Sequence, residues 1–194
     1  HTLTLAAFTS GAFLVGVSGY LLAKKRHEEV LLPTLKLGLV TVLVSFLLVG
    51  VSGDWSARVM TAQQPMKMAA AEALYDTTSS APFSLLTIGT LDGSKSIFEI
   101  GVPNFLSFMS TGSFDGTVEG INDLQAKYVE QYGPGNYKPN IPMAYWGFRL
   151  MIGFGAIAAF FALMTLWQIR RRGTVPTAKW FAPAMIWMPF LPLL

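Results

Sequence analysis

The beginning of the chain holds the feature that most constrains the fold, because Thr2 to Ala23 contains no charged residue. At about 1.5 Å of rise per residue, a helix of this length spans a hydrocarbon core of roughly 30 Å. The whole chain is 52% hydrophobic and 13% charged, and its mean hydropathy is +0.46. This composition is typical of a membrane protein and not of an ordinary soluble domain.

Further apolar runs follow the first one. They predict transmembrane helices at 1–23, 30–52 and 142–169, and the start of a truncated fourth helix at 179–194. The segment 53–141 is too long to be a simple connector. We therefore predict an all-α membrane protein, a transmembrane helical bundle fragment with a large extracytoplasmic loop. We interpret the chain as an internal piece of a larger membrane protein.

The long loop has local structure of its own. Ala- and Met-rich Pro65–Asp76 is predicted to be a short helix, and Val118–Tyr132 a second one that ends at Gly133-Pro134-Gly135. Phe83–Ile88 and Ser96–Val102 alternate enough to predict short extended segments. Pro189 and Pro192 predict that the fourth helix is kinked or irregular.

The charge distribution predicts which side of the membrane the loop occupies. Residues 54–138 contain five basic and nine acidic side chains. Basic clusters at Lys24–Arg26, Arg170–Arg172 and Lys179 flank the other ends of the helices. Cytoplasmic ends carry an excess of Lys and Arg, so we predict that loop 53–141 lies outside a cell membrane that the chain crosses several times.

Composition also excludes several classes of function. The chain has no Cys, which excludes disulfides, thiolate metal sites and covalently attached haem. It shows no basic patch with interleaved aromatic residues, so no nucleic-acid partner is expected. Nucleotide-binding glycine loops and metalloprotease motifs are absent as well.

Two possible iron ligands share the outer side of the predicted topology. His1 precedes the first span, and Met151 lies about 13 Å along the third from Pro142. An imidazole and a thioether can together complete the coordination of a haem iron. Alternatively, His1 is only an interfacial polar residue and Met151 only fills space between helices.

Arg149, Lys67 and Glu72 are the charged candidates. Arg149 lies within the third span, where an arginine needs an anionic partner such as a haem propionate; it could instead bind lipid phosphate. Glu72 could accept a proton from a quinol while Lys67 holds the other oxygen. The two residues are about 140° apart around a helix, so they do not form an i,i+4 pair. Alternatively, Lys67 and Glu72 only form part of a charged helix face exposed to water.

Several motifs together resemble subunit I of the cytochrome bd-type quinol oxidases, in the branch with a short quinol loop. They are His1-Thr2, Gly53-Asp54-Trp55-Ser56, the segment from Gln64 to Glu72, Gly120-Ile121-Asn122-Asp123-Leu124-Gln125, Tyr132-Gly133-Pro134-Gly135, and the segment from Tyr145 to Met151. The spacing of Lys67 and Glu72 and the Phe-Arg-x-Met element are the most specific of these. The resemblance covers the middle of that subunit.

The resemblance implies a function and a set of roles. His1 and Met151 would ligate the low-spin haem b (b558), Arg149 would contact that haem, and Lys67 and Glu72 would oxidise quinol at the outer face. Electrons would pass to a high-spin haem b (b595) and a haem d, where oxygen is reduced to water. The ligands of those two haems fall outside this chain in the family, so oxygen reduction is assigned to no residue here.

The resemblance also implies partners: a second oxidase subunit, small accessory membrane subunits, membrane lipid and quinone. From the residues alone, two other functions stay open. One is a haem-free transporter or channel subunit in which Arg149 lines the pathway. The other is a membrane anchor that binds quinone without haem.

Overall fold

The computed structural model describes residues 1–24, 27–90, 95–175 and 180–193. They form two units, which we call the helical unit (His1–Ser52 with Leu150–Leu194) and the loop unit (Gly53–Arg149). Some residues used in the predictions above lie outside the described residues: Lys25, Arg26, Lys179 and Leu194.

Helices make up most of the described chain, and four short strands accompany them. In chain order the elements are α1 (Thr2–Ala23), α2 (Glu28–Gln63), α3 (Pro65–Glu72), β1 (Thr78–Ser79), β2 (Phe83–Gly89), β3 (Ser96–Val102), α4 (Phe105–Thr111), β4 (Thr117–Val118), α5 (Ile121–Tyr132), α6 (Ile141–Arg172), α7 (Phe181–Trp187) and a final 3₁₀ helix (Met188–Leu193).

Three helices, α1, α2 and α6, are long and apolar enough to cross a membrane. A helix satisfies its own backbone hydrogen bonds, which is why apolar runs of this length form helices in lipid. The predicted helical membrane fold is confirmed. The helix α2 extends beyond the predicted span 30–52 because helical hydrogen bonding continues after the apolar residues end.

Close contact between α1 and α2 depends on glycines. A Cβ atom added to Gly11 would lie 3.0 Å from the backbone nitrogen of Val42, and one added to Gly38 would lie 3.0 Å from the carbonyl oxygen of Gly11. Such glycines let two helix backbones approach closely. Leu35 and Leu39 of α2 are fully buried in the adjoining core.

The last described segment is irregular, as its prolines predicted. The helix α7 gives way at Met188 to a 3₁₀ helix that contains Pro189 and Pro192. A proline inside a helix lacks the N–H group that the regular hydrogen-bonding pattern needs.

The described residues of the loop unit form two small antiparallel sheets. Strand β2 pairs with β3, so both predicted extended segments are confirmed, and β1 pairs with β4 through Thr78 and Val118. Since Val118 belongs to a strand, α5 begins at Ile121 and not at Val118 as predicted. The helix α3 stops at Glu72, short of the predicted Asp76, because Ala73 takes a left-handed conformation with φ of 51°.

Candidate functional site

The short helix α3 positions the two charged candidates of the loop unit. Its first residue is Pro65, whose fixed φ suits the start of a helix. From Met66 onward every α3 residue except Lys67 is buried. Eight residues are too few for a stable isolated helix, so packing within the loop unit holds α3 in place.

Glu72 forms a two-pronged ion pair with Arg149 of α6. The Arg149 Nη1 group donates to Glu72 Oε1 at 3.3 Å, and Nη2 donates to Oε2. The side chains of Arg149 and Glu72 are 9% and 1% exposed, so the pair is almost fully withdrawn from water. Removing either partner alone would leave an uncompensated buried charge, which is strongly destabilising.

Aromatic rings cover the Arg149 guanidinium group. Its central carbon lies 4.4 Å from the ring centre of Phe83 and 5.0 Å from that of Tyr145. Rings at this distance attract a cation through their electron-rich faces. Arg149 Nε is buried and has no hydrogen-bond partner among the described residues, so one donor remains for another acceptor.

A buried hydroxyl network fastens α6 to β2 beside this pair. Tyr145 Oη lies 2.8 Å from Ser84 Oγ and accepts the backbone N–H of Thr87 at 2.6 Å. Ser84 Oγ also lies 2.6 Å from Thr87 Oγ1. Every member is buried, so the network holds the Tyr145 ring rigidly against Arg149.

Burial raises the pKa of Glu72 from 4.5 to about 7. Hydrogen bonding and the positive charge of Arg149 act in the opposite direction, as does the backbone N–H of Ser84, but desolvation of the carboxylate is the larger effect. Glu72 can therefore gain and lose a proton near neutral pH.

Lys67 lies in different surroundings from Glu72. It is exposed and lines a cavity of about 740 Å³, which Glu72 does not line. The cavity is also lined by Tyr128 and Tyr132 of α5 and by Tyr137. The sequence analysis did not select these tyrosines, although the four-residue spacing of Tyr128 and Tyr132 on a predicted helix places them on one face.

His1 and Met151 belong to the helical unit. His1 precedes α1, and its Nδ1 lies 3.2 Å from Ser52 Oγ of α2. In the tautomer in which Nδ1 donates this hydrogen bond, Nε2 is left available to a metal. Met151 is 46% exposed on α6, so its side chain is not committed to the core.

The surroundings of both residues fit a flat prosthetic group. Gly155 lies one helical turn after Met151, and a Cβ atom added there would meet only Phe46, at 3.7 Å. A Cβ atom added to Gly50 of α2 would meet nothing within 4 Å. Both glycines thus leave open space beside their helices that a planar macrocycle could occupy, so the residues present fit a haem.

Comparison with known proteins identifies the family. The family model for cytochrome bd terminal oxidase subunit I matches residues 1–194. The chain belongs to the cytochrome bd terminal oxidase subunit I family. The resemblance seen in the sequence motifs is confirmed.

Individual relatives of this subunit I chain agree with the family model. It is 36% identical over 196 residues to the cytochrome bd ubiquinol oxidase subunit 1 of Bacillus subtilis (strain 168), covering 100% of this chain and 42% of that relative. It is 24% identical to the cytochrome bd-II ubiquinol oxidase subunit 1 of Escherichia coli (strain K12). That match covers 91% of this chain and 38% of that relative. The chain thus spans less than half the length of these relatives.

A solved structure shares the fold of this chain. The bd oxidase from Geobacillus thermodenitrificans superimposes with a TM-score of 0.80 at 22% sequence identity, over 100% of this chain and 42% of that one. In the chain described here, Arg149 pairs with Glu72, a residue 77 positions earlier in the sequence. The sequence motifs named both residues but did not predict that they pair.

Proposed function

We propose that this chain forms the quinol-oxidising part of a respiratory terminal oxidase in a bacterial cell membrane. The observation that carries the proposal is Glu72, a buried carboxylate with a pKa of about 7 on the same short helix as exposed Lys67. A general base works best when its pKa is close to the operating pH. Family membership supports this function over a haem-free transporter, a channel or a quinone-binding anchor.

Quinol oxidation releases two protons and two electrons, and we assign a part of it to each charged residue. Lys67 donates a hydrogen bond to a quinol oxygen, since an ammonium group has three donors and no acceptor. Glu72 takes up a proton that leaves the quinol. Arg149 orients the carboxylate with two hydrogen bonds, and protonation of Glu72 removes the negative charge that holds this pair together.

We propose that His1 and Met151 hold the low-spin haem b (b558). This group supplies a one-electron acceptor, and a methionine ligand raises its reduction potential. The hydrogen bond between His1 and Ser52 would keep the imidazole in the tautomer that binds iron. Arg149 Nε, the donor that Glu72 does not use, is the group we propose for contact with a haem carboxylate.

The complete oxidase supplies the remaining parts in this proposal. They are a high-spin haem b (b595), a haem d that reduces oxygen to water, a second oxidase subunit and small accessory membrane subunits. Membrane lipid and quinone complete the surroundings. No residue of this chain is assigned to oxygen reduction.

We also propose that the loop unit lies on the outer face, because Arg170, Arg171 and Arg172 end α6 on the other side. A protease added to intact spheroplasts should cut the parent protein near Gly112 or Gly133–Gly135, and mass spectrometry of the fragments locates the cuts. Cleavage at these sites only in inside-out vesicles would reverse the orientation.

Replacing Lys67 with Ala tests the proposed function. We expect the kcat/KM of the complete oxidase for quinol to fall about 10- to 150-fold, the range for losing a hydrogen bond to a charged group. Haem absorption should stay parental, because Lys67 is exposed and contributes little to packing. Steady-state quinol oxidation in membranes and a reduced-minus-oxidised spectrum measure the two quantities.

Lys127 provides a matched control for Lys67. It is an exposed lysine of the same unit that pairs with Glu119 at 3.1 Å and does not line the cavity. Lys127→Ala should oxidise quinol at the parental rate. Equal rates in the Lys67 and Lys127 variants would show that Lys67 belongs only to a solvated face and would overturn its proposed role.

A further inference from the structure

The strand β2 is irregular at the point where it passes the Glu72–Arg149 pair. Its register with β3 shifts between Ser84 and Leu86, so Leu85 is an extra residue in the strand. In a regular strand successive side chains point to opposite faces, which would send Ser84 and Thr87 to different sides of the sheet. The bulge re-aims these side chains, and the two hydroxyl groups meet at 2.6 Å on one side.

Tyr145 of α6 is the residue that the bulge meets on this side. Its Oη atom accepts the backbone N–H of Thr87 at 2.6 Å and lies 2.8 Å from Ser84 Oγ. All three residues are buried, so water does not compete for these bonds. One hydroxyl group thus fastens β2 to α6 at two points.

The fastened part of β2 contacts both members of the ion pair. Phe83 precedes Ser84, and its ring centre lies 4.4 Å from the central carbon of the Arg149 guanidinium group. The backbone N–H of Ser84 donates a hydrogen bond to the Glu72 carboxylate. The position of β2 therefore determines how closely the pair is covered.

Arg149 is the charged group of the described residues that acts on Glu72. The strand β2 and the helix α4 contain no charged residue. The charged side chains of α3 and α5 are exposed, namely Lys67, Asp123, Lys127 and Glu130. The proton affinity of Glu72 thus depends on Arg149 and on the cover that uncharged groups provide.

We propose that Tyr145 is a positioning residue for proton transfer at Glu72: its hydroxyl group holds the β2 bulge against α6, and β2 holds the Glu72–Arg149 pair in place. The inference rests on the proposed function of Glu72 as the proton acceptor. It adds a residue that acts through β2 and not on the quinol itself.

Tyr145→Phe tests the inference in the complete oxidase, because it keeps the ring beside Arg149 and removes only the hydroxyl group. The buried N–H of Thr87 loses its acceptor, which favours displacement of β2. Water then reaches Glu72, whose pKa is raised by burial, and can replace the Ser84 N–H as a donor. We expect the proton affinity of Glu72 to fall about 2- to 12-fold, the factor that corresponds to one hydrogen bond.

Infrared spectroscopy measures this proton affinity without turnover. The carboxyl signal of protonated Glu72 is identified by its absence from Glu72→Gln and is followed as a function of pH. In Tyr145→Phe the midpoint of this signal should lie at lower pH than in the parental oxidase. The rise of the quinol oxidation rate with pH should move in the same direction.

Two variants serve as matched controls for the loss of a buried hydroxyl group. Thr87→Val removes a hydroxyl beside Tyr145 but keeps the backbone N–H that Tyr145 accepts. Ser107→Ala removes a buried hydroxyl that accepts the N–H of Ala81 at 2.7 Å in the same unit. Both variants should titrate at the parental midpoint.

A milder variant keeps the test decisive if little Tyr145→Phe assembles. Ser84→Ala removes one of the two bonds to Tyr145 Oη and keeps the backbone N–H that Glu72 accepts. It should move the midpoint in the same direction by a smaller amount. A parental midpoint in Ser84→Ala and in any assembled Tyr145→Phe would overturn the positioning role.

The remaining outcomes separate this inference from the proposed function. An equal shift in Ser107→Ala would assign the effect to general loosening of the loop unit and would overturn the role of Tyr145. A parental oxidation rate in Glu72→Gln would refute Glu72 as the proton acceptor. A shifted infrared midpoint in Tyr145→Phe would even then support the control of the Glu72–Arg149 pair by Tyr145, because that measurement needs no quinol.

Discussion

A Glu72→Gln substitution is expected to slow quinol oxidation by about 10²- to 10⁴-fold, the usual contribution of a positioned acid–base group. Glutamine has the same shape, and its amide oxygen can still accept a hydrogen bond from Arg149, but it cannot take up a proton. The buried Arg149 charge is then uncompensated, so less oxidase should fold, but the oxidase that assembles should keep the parental haem spectrum. The initial rate of quinol oxidation in membranes, referred to haem content, measures the effect.

The rate of quinol oxidation by the parental oxidase should depend on pH through the titration of Glu72. Below a pH of about 7 the Glu72 carboxyl group is protonated and cannot accept another proton. Its pKa lies above the ordinary 4.5, so the rate should rise with pH through the region of 7 and not through that of 4.5. In Glu72→Gln this rise should disappear, because the titrating group is gone.

Glu119→Gln is the matched control for Glu72. Glu119 is a carboxylate of the same unit, but its side chain is 45% exposed and its partner Lys127 is exposed as well. Surface pairs of this kind contribute little energy, so rate and pH profile should stay parental. If Glu72→Gln keeps the parental rate and pH profile, Glu72 serves only as the structural partner of Arg149.

Met151→Leu is expected to remove the low-spin haem signal or to lower its reduction potential. Leucine nearly conserves the volume of methionine but has no sulfur to offer the iron, and the thioether ligand is what raises the potential. Met151 is 46% exposed on α6, so the substitution leaves the helical core undisturbed. A redox titration followed by absorption in the haem region measures both quantities.

Met164→Leu is the control for Met151, since Met164 lies on the same helix and is 43% exposed. It should leave the spectrum and the potential unchanged. If Met151→Leu also keeps the parental spectrum and reduction potential, Met151 is not a haem ligand. The assignment of His1 and Met151 to one haem is then refuted.

Much of the helical architecture follows from local sequence. The helix predicted at 1–23 differs from the observed α1 (Thr2–Ala23) by one residue, because an uncharged run of membrane length has one low-energy form in lipid, the helix. Strands β2 and β3 are predicted because alternating polarity along a segment reflects its two faces. The end of α2 at Gln63 is not predicted, because a helix can continue in water after its apolar residues end.

The sequence by itself determined the membrane class, the three long helices and the family, because each depends on residues that are neighbours along the chain. Only the tertiary structure decided that Glu72 pairs with Arg149, that Lys67 faces a cavity instead, and that Tyr128, Tyr132 and Tyr137 meet beside it. These contacts join α3 to α6 and to α5, segments far apart in sequence. Burial alone raises the pKa of Glu72, and burial is a property of packing that no local pattern of residues encodes.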